Sequence, residues 1–196
     1  MSDDYPRVQV ADRAAWRGWL AEHHATARGV WLINGRKGSS QPHVPYDEIV
    51  EEALCFGWVD SQPRKLDDER SMLLVTPRKP GSRWSRLNKQ RVERLEAAGL
   101  MTDAGANAVA RAKADGTWAA LDEVEELHED DDLRDALDAT PGARTHWDAF
   151  PPSTRRGILE WILAAKRPET RAKRIRQTAD QAARNIRANQ WRQPNA

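Results

Sequence analysis

The chain has 196 residues, with 31 lysines and arginines against 30 acidic residues, a formal net charge of +1. Charged residues make up 31% and apolar residues 39%, enough for a core where the pattern is periodic, so the chain does not read as disordered. No apolar run approaches the ~18 residues of a bilayer span, the N-terminus has no basic-then-apolar signal pattern, and a single cysteine, Cys55, cannot pair internally, so the cytoplasm is the expected location.

A first helix is predicted over residues 11–26, with Asp12 as its cap and Trp16, Trp19, Leu20 and His23 at helical spacing. Gly29 ends it, and residues 30–33 form a short, apolar, β-branched strand. Residues 35–45 hold two serines, two prolines and two glycines and read as a loop. In the second helix, residues 46–56, Tyr46, Ile49, Val50, Ala53 and Leu54 make one apolar face. Gly57 stops it, residues 58–60 lead into a turn, and residues 71–76 are a strand. A third helix begins near Ser82 or Trp84 and carries Trp84, Leu87, Val92 and Leu95 up to Gly99. Beyond residue 100 the pattern is helical throughout. Thr102 is a candidate N-cap, Gly116 a stop, and residues 131–139 a short acidic helix. Thr140 with Pro141 pairs a cap with proline at the first helical position. Ser153 caps a helix bearing Ile158, Leu159, Trp161, Ile162 and Leu163, and Pro168 opens a last basic helix over residues 169–189.

These elements predict an α+β fold: a small antiparallel sheet packed by the N-terminal helices, followed by a helical C-terminal part. The expected division is residues 1–100 and 101–196, with one continuous domain as the alternative. Most of the nine tryptophans are expected in the core.

The small net charge hides segregation. Between residues 115 and 138 stand eleven acidic residues, residues 77–91 hold six basic ones, and residues 167–192 hold eight. Such blocks are solvated faces or they steer charged partners. The acidic and the C-terminal basic blocks are expected to neutralise each other.

The run YDEIVEEALCFGWVDSQPRKLDDERSMLLVTPRKPGSRWSRLNKQRVERLEAAGLMTDAG, residues 46–105, resembles the core of the YdeI/OmpD-associated family, and AFPPSTRRGILEWILAAKRPETRAKRI, residues 149–175, resembles its C-terminal helical module. The resemblance implies a bacteriocin-protection or stress-tolerance role. It implies no catalytic residues. One departure is Pro45, which precedes the second helix where a Thr or Ser cap is expected.

No metal site or cofactor is expected, because adjacent histidines such as His23 and His24 point about 100° apart on a helix. GRKGSS, residues 35–40, follows a strand but lacks phosphate-loop spacing. Cys55 sits at a helix C-terminus, which disfavours a thiolate, so a buried small hydrophobe is expected there. The favoured site is residues 77–91. There Arg78, Arg83 and Lys89 supply charge, Trp84 a stacking face, and Ser85 and Asn88 hydrogen bonds, facing Trp58, Asp60 and Arg64. Asn88 follows Trp84 by four residues and is expected on the same helix face. The alternative is a solvated basic face with Trp84 in the core.

Three functions compete at this level. The first is a non-enzymatic protection factor binding a small molecule, peptide or protein partner, with no membrane insertion. The second is a nucleic-acid binder using residues 77–91 and the last helix. The third is an enzyme of unrecognised type built on Cys55, Asp60 and Arg64.

Overall fold

A computed structural model describes residues 4–191 and residue 193. The chain separates into two compact units, Met1–Ala120 and Leu121–Ala196. The expected division at residue 100 falls in the connection between two helices of the first unit.

In the first unit the helices are α1 (Arg13–His23), α2 (Tyr46–Cys55), α3 (Arg86–Ala97) and α4 (Asp103–Ala114). The strands are β1 (Arg7–Gln9), β2 (Val30–Gly35), β3 (Trp58–Lys65) and β4 (Arg70–Pro77), in the order β1-β2-β4-β3. The α+β expectation holds, but the sheet is mixed rather than antiparallel: β1 runs parallel to β2, while the other pairs are antiparallel. A three-residue strand has too little pattern to be read in advance. β3 also runs past Asp60 as far as Lys65, through Pro63. Its position at the sheet edge explains how a proline is tolerated there.

The side chains of Val30, Leu32, Leu73 and Val75 join Trp16, Leu20, Ile49, Val50, Leu54 and Trp84 in the main core. On the other face Trp31, Met72 and Leu74 form a smaller cluster with Tyr5, Ile33 and Leu66. Five tryptophans (Trp16, Trp31, Trp58, Trp84, Trp147) are buried at 1% exposure or less, as the composition led one to expect. The loop after β2 closes on itself: Asn34 donates to and accepts from the Val44 backbone at 2.8 Å in both directions.

Local chemistry sets the helix ends. Asp12 accepts from the Ala15 N–H at 2.8 Å, and Thr102 caps α4 while its hydroxyl donates to the Cys55 carbonyl at 2.6 Å. That second bond brings α4 onto the end of α2, and Gly105 permits the approach, since a Cβ there would run into the Cys55 carbonyl. α3 starts later than expected. Ser85 is its N-cap, accepting from the Asn88 N–H at 3.3 Å, so Trp84 precedes the helix and does not share a helical face with Asn88.

The second unit contains α5 (Asp122–Glu125), α6 (Asp131–Ala139), α7 (Ala143–Ala149), α8 (Pro152–Leu163) and α9 (Pro168–Ala182). Leu133, Leu137, Trp147, Phe150, Ile158, Ile162, Ile175 and Ala179 make its core. Two expected caps differ. Gly142, in the left-handed region, precedes α7 in place of Thr140, and Ser153 lies inside the first turn of α8. α9 ends at Ala182 rather than near residue 189, where Asn185 and Asn189 take positive φ.

Candidate functional site

The strand β4 ends at Pro77 and hands the chain to the segment 78–85, which carries no regular structure before Ser85 caps α3. Its first residue is held to the sheet by a bond from the Arg78 N–H to the Gly57 carbonyl at 2.9 Å. Gly57, at φ +72, also ends α2. The backbone therefore turns the Arg78 side chain inward, and it is buried at 8% exposure. Its guanidinium lies 3.7 Å from the centre of the Trp84 ring, and Trp84 in turn lies 5.0 Å from Trp118. Lys89 and Lys113 approach Trp118 at 5.9 and 5.1 Å. The result is a cation over one indole, with the second indole tilted at 46° against the first.

Hydrogen bonding uses only part of the guanidinium. Nη1 donates to the Arg83 carbonyl at 3.0 Å and to Ser82 Oγ at 3.4 Å. Nε is buried with no partner. Among the described residues Arg78 forms no ion pair; Asp60 acts on it only through its field. Burial therefore dominates and pushes the guanidinium down to about 10, against the opposing pull of Asp60.

Arg78 lines a cavity of about 20 Å³ with Lys79, Gly81, Ser82, Trp84, Arg111, Asp115 and Thr117. Its other wall is the end of α4 and the turn after it, residues 111–117, which the sequence pattern does not mark as part of a site: by sequence Asp115 belongs with the acidic block. The only sequence signal was Arg111 and Asp115 one helical turn apart, close before Trp118. The Asp115 carboxylate accepts from the Thr117 hydroxyl and N–H. Those bonds, the Thr117 hydroxyl first, hold it below the usual carboxylate range.

The other expected site residues are dispersed around this centre. Ser85 is a cap. Asn88 accepts from Arg91 at 2.8 Å, and Arg91 also pairs with Asp47. The ring N–H of Trp58 donates to the His24 carbonyl at 3.2 Å, with Trp19 edge-on at 5.9 Å, so this indole belongs to the core. Asp60 accepts from the Tyr46 hydroxyl at 2.7 Å; burial, then that bond, pushes the phenol up to about 12.

Arg64 does not face Asp60. The β3–β4 register shifts between Asp60 and Gln62, a bulge at Ser61 that reverses the alternation of side chains. Asp60 pairs with Val75, of the main core, whereas Arg64 pairs with Met72 and lies over Trp31 at 4.7 Å on the opposite face. The grouping of Cys55, Asp60 and Arg64 is therefore not assembled. Cys55 itself is fully buried, and burial pushes its thiol up, with Arg17 opposing.

Among the described residues no group of His, Cys, Asp or Glu could hold a metal ion, and no helix is long and apolar enough to cross a membrane. Two families match the chain. Residues 8–108, just over half of it, match the family described as Domain of unknown function (DUF8412). Residues 126–185 match the family described as Bacteriocin-protection, YdeI or OmpD-Associated. The second match falls on the downstream run 149–175 named above, while the run 46–105 falls within the first. No curated protein and no solved structure matches the chain.

Proposed function

We propose, for a chain that belongs to the family of the Domain of unknown function (DUF8412) and carries a bacteriocin-protection, YdeI or OmpD-associated domain, that it protects the cell by non-covalent binding of an anionic group at Arg78. The second family match fits a protection-type role. The binding mechanism rests on one observation about charge. Three charged residues are buried as whole residues among the described ones: Glu52, Arg78 and Arg91. Glu52 is met by Arg13 and Arg17, each at 2.6 Å, and Arg91 by Asp47. Arg78 alone of the three has no carboxylate.

An unpaired buried charge is costly, and Trp84 offsets only part of that cost, since exposed cation–π contacts contribute ~0.5–1 kcal/mol and desolvated ones ~2 or more. Such a cost persists where it serves binding. Small-molecule pockets run to roughly 300–1,000 Å³, so the Arg78 cavity, at about 20 Å³, suits one polar group of a ligand rather than a whole one. That favours a peptide or protein partner, in the cytoplasm, over an enclosed metabolite.

Arg78→Met tests this. Methionine keeps a flexible apolar side chain against Trp84 and removes the charge. Cells expressing the variant at wild-type level should lose protection while the purified protein keeps its melting temperature. Trp84→Ala is a poorer test, because it empties a core position. Full protection by a folded Arg78→Met protein would refute the binding site.

A further inference from the structure

The proposal for Arg78 leaves open which anion it takes, and the geometry of the guanidinium narrows that choice. A guanidinium has two forked edges. Here Nη1 is committed to the Arg83 carbonyl and Ser82. Nε is buried with no partner, and no bond to Nη2 exists among the described residues. The unused donors are thus the buried Nε–H and the parallel Nη2–H. Two parallel N–H donors match the two oxygens of a planar carboxylate, one bond to each.

The walls of the cavity select further. Its volume of about 20 Å³ admits about one oxygen-sized atom at full depth. A planar carboxylate brings only its two oxygens to the Nε–Nη2 edge, both in the plane of the guanidinium. A tetrahedral phosphate brings further oxygens to the same narrow place. Asp115 lines this cavity too and is tied to Thr117. Its negative charge, held below the usual carboxylate range, repels a dianion more than a monoanion. Lys79 and Arg111 also line the cavity and keep the balance of its charge positive.

Resting on the binding role proposed above, we infer that the group read by Arg78 is a carboxylate, taken side-on by its free Nε–Nη2 edge, in preference to a phosphate. The source of such a carboxylate is either a free small acid or an acidic side chain of a peptide.

The Nε–H resonance of Arg78, identified by its disappearance in Arg78→Lys, reports the contact directly. Sodium acetate, sodium phosphate and the capped peptide acetyl-Gly-Glu-Gly-amide are titrated at pH 7.5, with sodium chloride holding ionic strength constant. Acetate should shift the resonance saturably, and phosphate should require roughly tenfold more, the effect of one like charge at short range. Arg78→Lys, which keeps the charge and loses the fork, should bind acetate more weakly while retaining the melting temperature, read from its tryptophan fluorescence. Saturation by the peptide well below acetate assigns the carboxylate to a peptide; equal or weaker peptide binding assigns it to a free acid. Tighter binding of phosphate overturns the carboxylate assignment and leaves the binding role standing. No saturable response to any of the three overturns the inference, and the role itself then stands or falls on protection by Arg78→Met.

Discussion

Glu52 on α2 and Arg78 after β4 are both more than nine-tenths buried, at 3% and 8% exposure, and the first unit treats them in opposite ways. Around Glu52, Arg13 and Arg17 of α1 each close to 2.6 Å, and Arg17 also donates to the Leu100 carbonyl at 2.8 Å. That carboxylate fastens two helices and the connection after α3. Around Arg78 the chain supplies an indole, a carbonyl and a hydroxyl, but no carboxylate within ion-pair distance among the described residues. The difference teaches that the same energetic problem, a charge removed from water, is solved internally at one place and left for a partner at the other.

The sharpest way to break this comparison is Glu52→Ala. It removes two charge-assisted contacts, but Arg13 keeps Glu51 at 3.1 Å and both arginines are 34% exposed, so the expected loss is ~1.5–3 kcal/mol in urea unfolding. A loss below ~1 kcal/mol, the size of an exposed pair, would mean that the cluster does not fasten the helices. Cys55 lies beside the same cluster, and its thiol is pushed up by burial ahead of any help from Arg17. Cys55→Ser should therefore cost ~1–3 kcal/mol by placing a hydroxyl in an apolar site, whereas Cys55→Ala should retain protection. A folded alanine variant that no longer protects would give the thiol a chemical role.

Arg78→Met should behave unlike Glu52→Ala. The downward shift of the guanidinium to about 10 corresponds to on the order of 3 kcal/mol set against the charged form in the folded state. The loss of stacking and hydrogen bonds offsets this, so the variant should unfold within ~1 kcal/mol of the wild type or be more stable. The pH dependence has a definite sign. Below about pH 10 the folded state holds the costly proton fully. Above about pH 10 the folded state releases it while the unfolded chain, with an ordinary arginine, still keeps it, so Arg78 contributes a gain in stability as pH rises. Tyr46 opposes this: its folded value of about 12 lies above the ordinary 10.0, and its contribution is lost between them. Tyr46→Phe should make alkaline stability rise more steeply with pH, and Arg78→Met in that background should remove the rise.

Much of this arrangement was legible in the sequence, and the misses share a cause. Asp12, Thr102 and Gly57 announced helix ends because capping is a local property. Arg78 and Trp84 stood out because a basic Pro/Gly loop and an aromatic coincide in sequence. The Ser61 bulge, which sends Arg64 to the other face, depends on strand pairing that no single strand encodes. Glu52 escaped notice for a similar reason. A glutamate three residues after Ile49 on an apolar helix face is a signal, but its meaning comes from Arg13 and Arg17, some 35 to 39 residues away.

The smallest effect concerns the exposed counterpart of these buried charges, in the second unit. The expected attraction between the acidic block and the C-terminal basic helix takes a narrow form there: Arg171 of α9 pairs with Asp130 and, at 2.8 Å, with Asp132. Arg144, of α7, takes Glu129 and Asp138 instead. Truncating the basic helix cannot isolate this attraction, because Ile175, Thr178, Ala179 and Ala182 of α9 are core residues. Arg171→Gln does isolate it. Arg171 is 26% exposed and its two partners 50%, so solvent screens the pairs and the expected loss is ~0.2–1 kcal/mol, shrinking in high salt. Arg171, before burial opposes it, holds the Asp132 carboxyl below its ordinary 3.8. Asp132 therefore adds stability that is present above pH 3.8 and is lost as pH falls through the depressed value. Acid unfolding followed by circular dichroism should show a shallower acid limb in Arg171→Gln. An unchanged acid limb, or a loss of stability that high salt leaves untouched, would show that the helix is held by its apolar face alone.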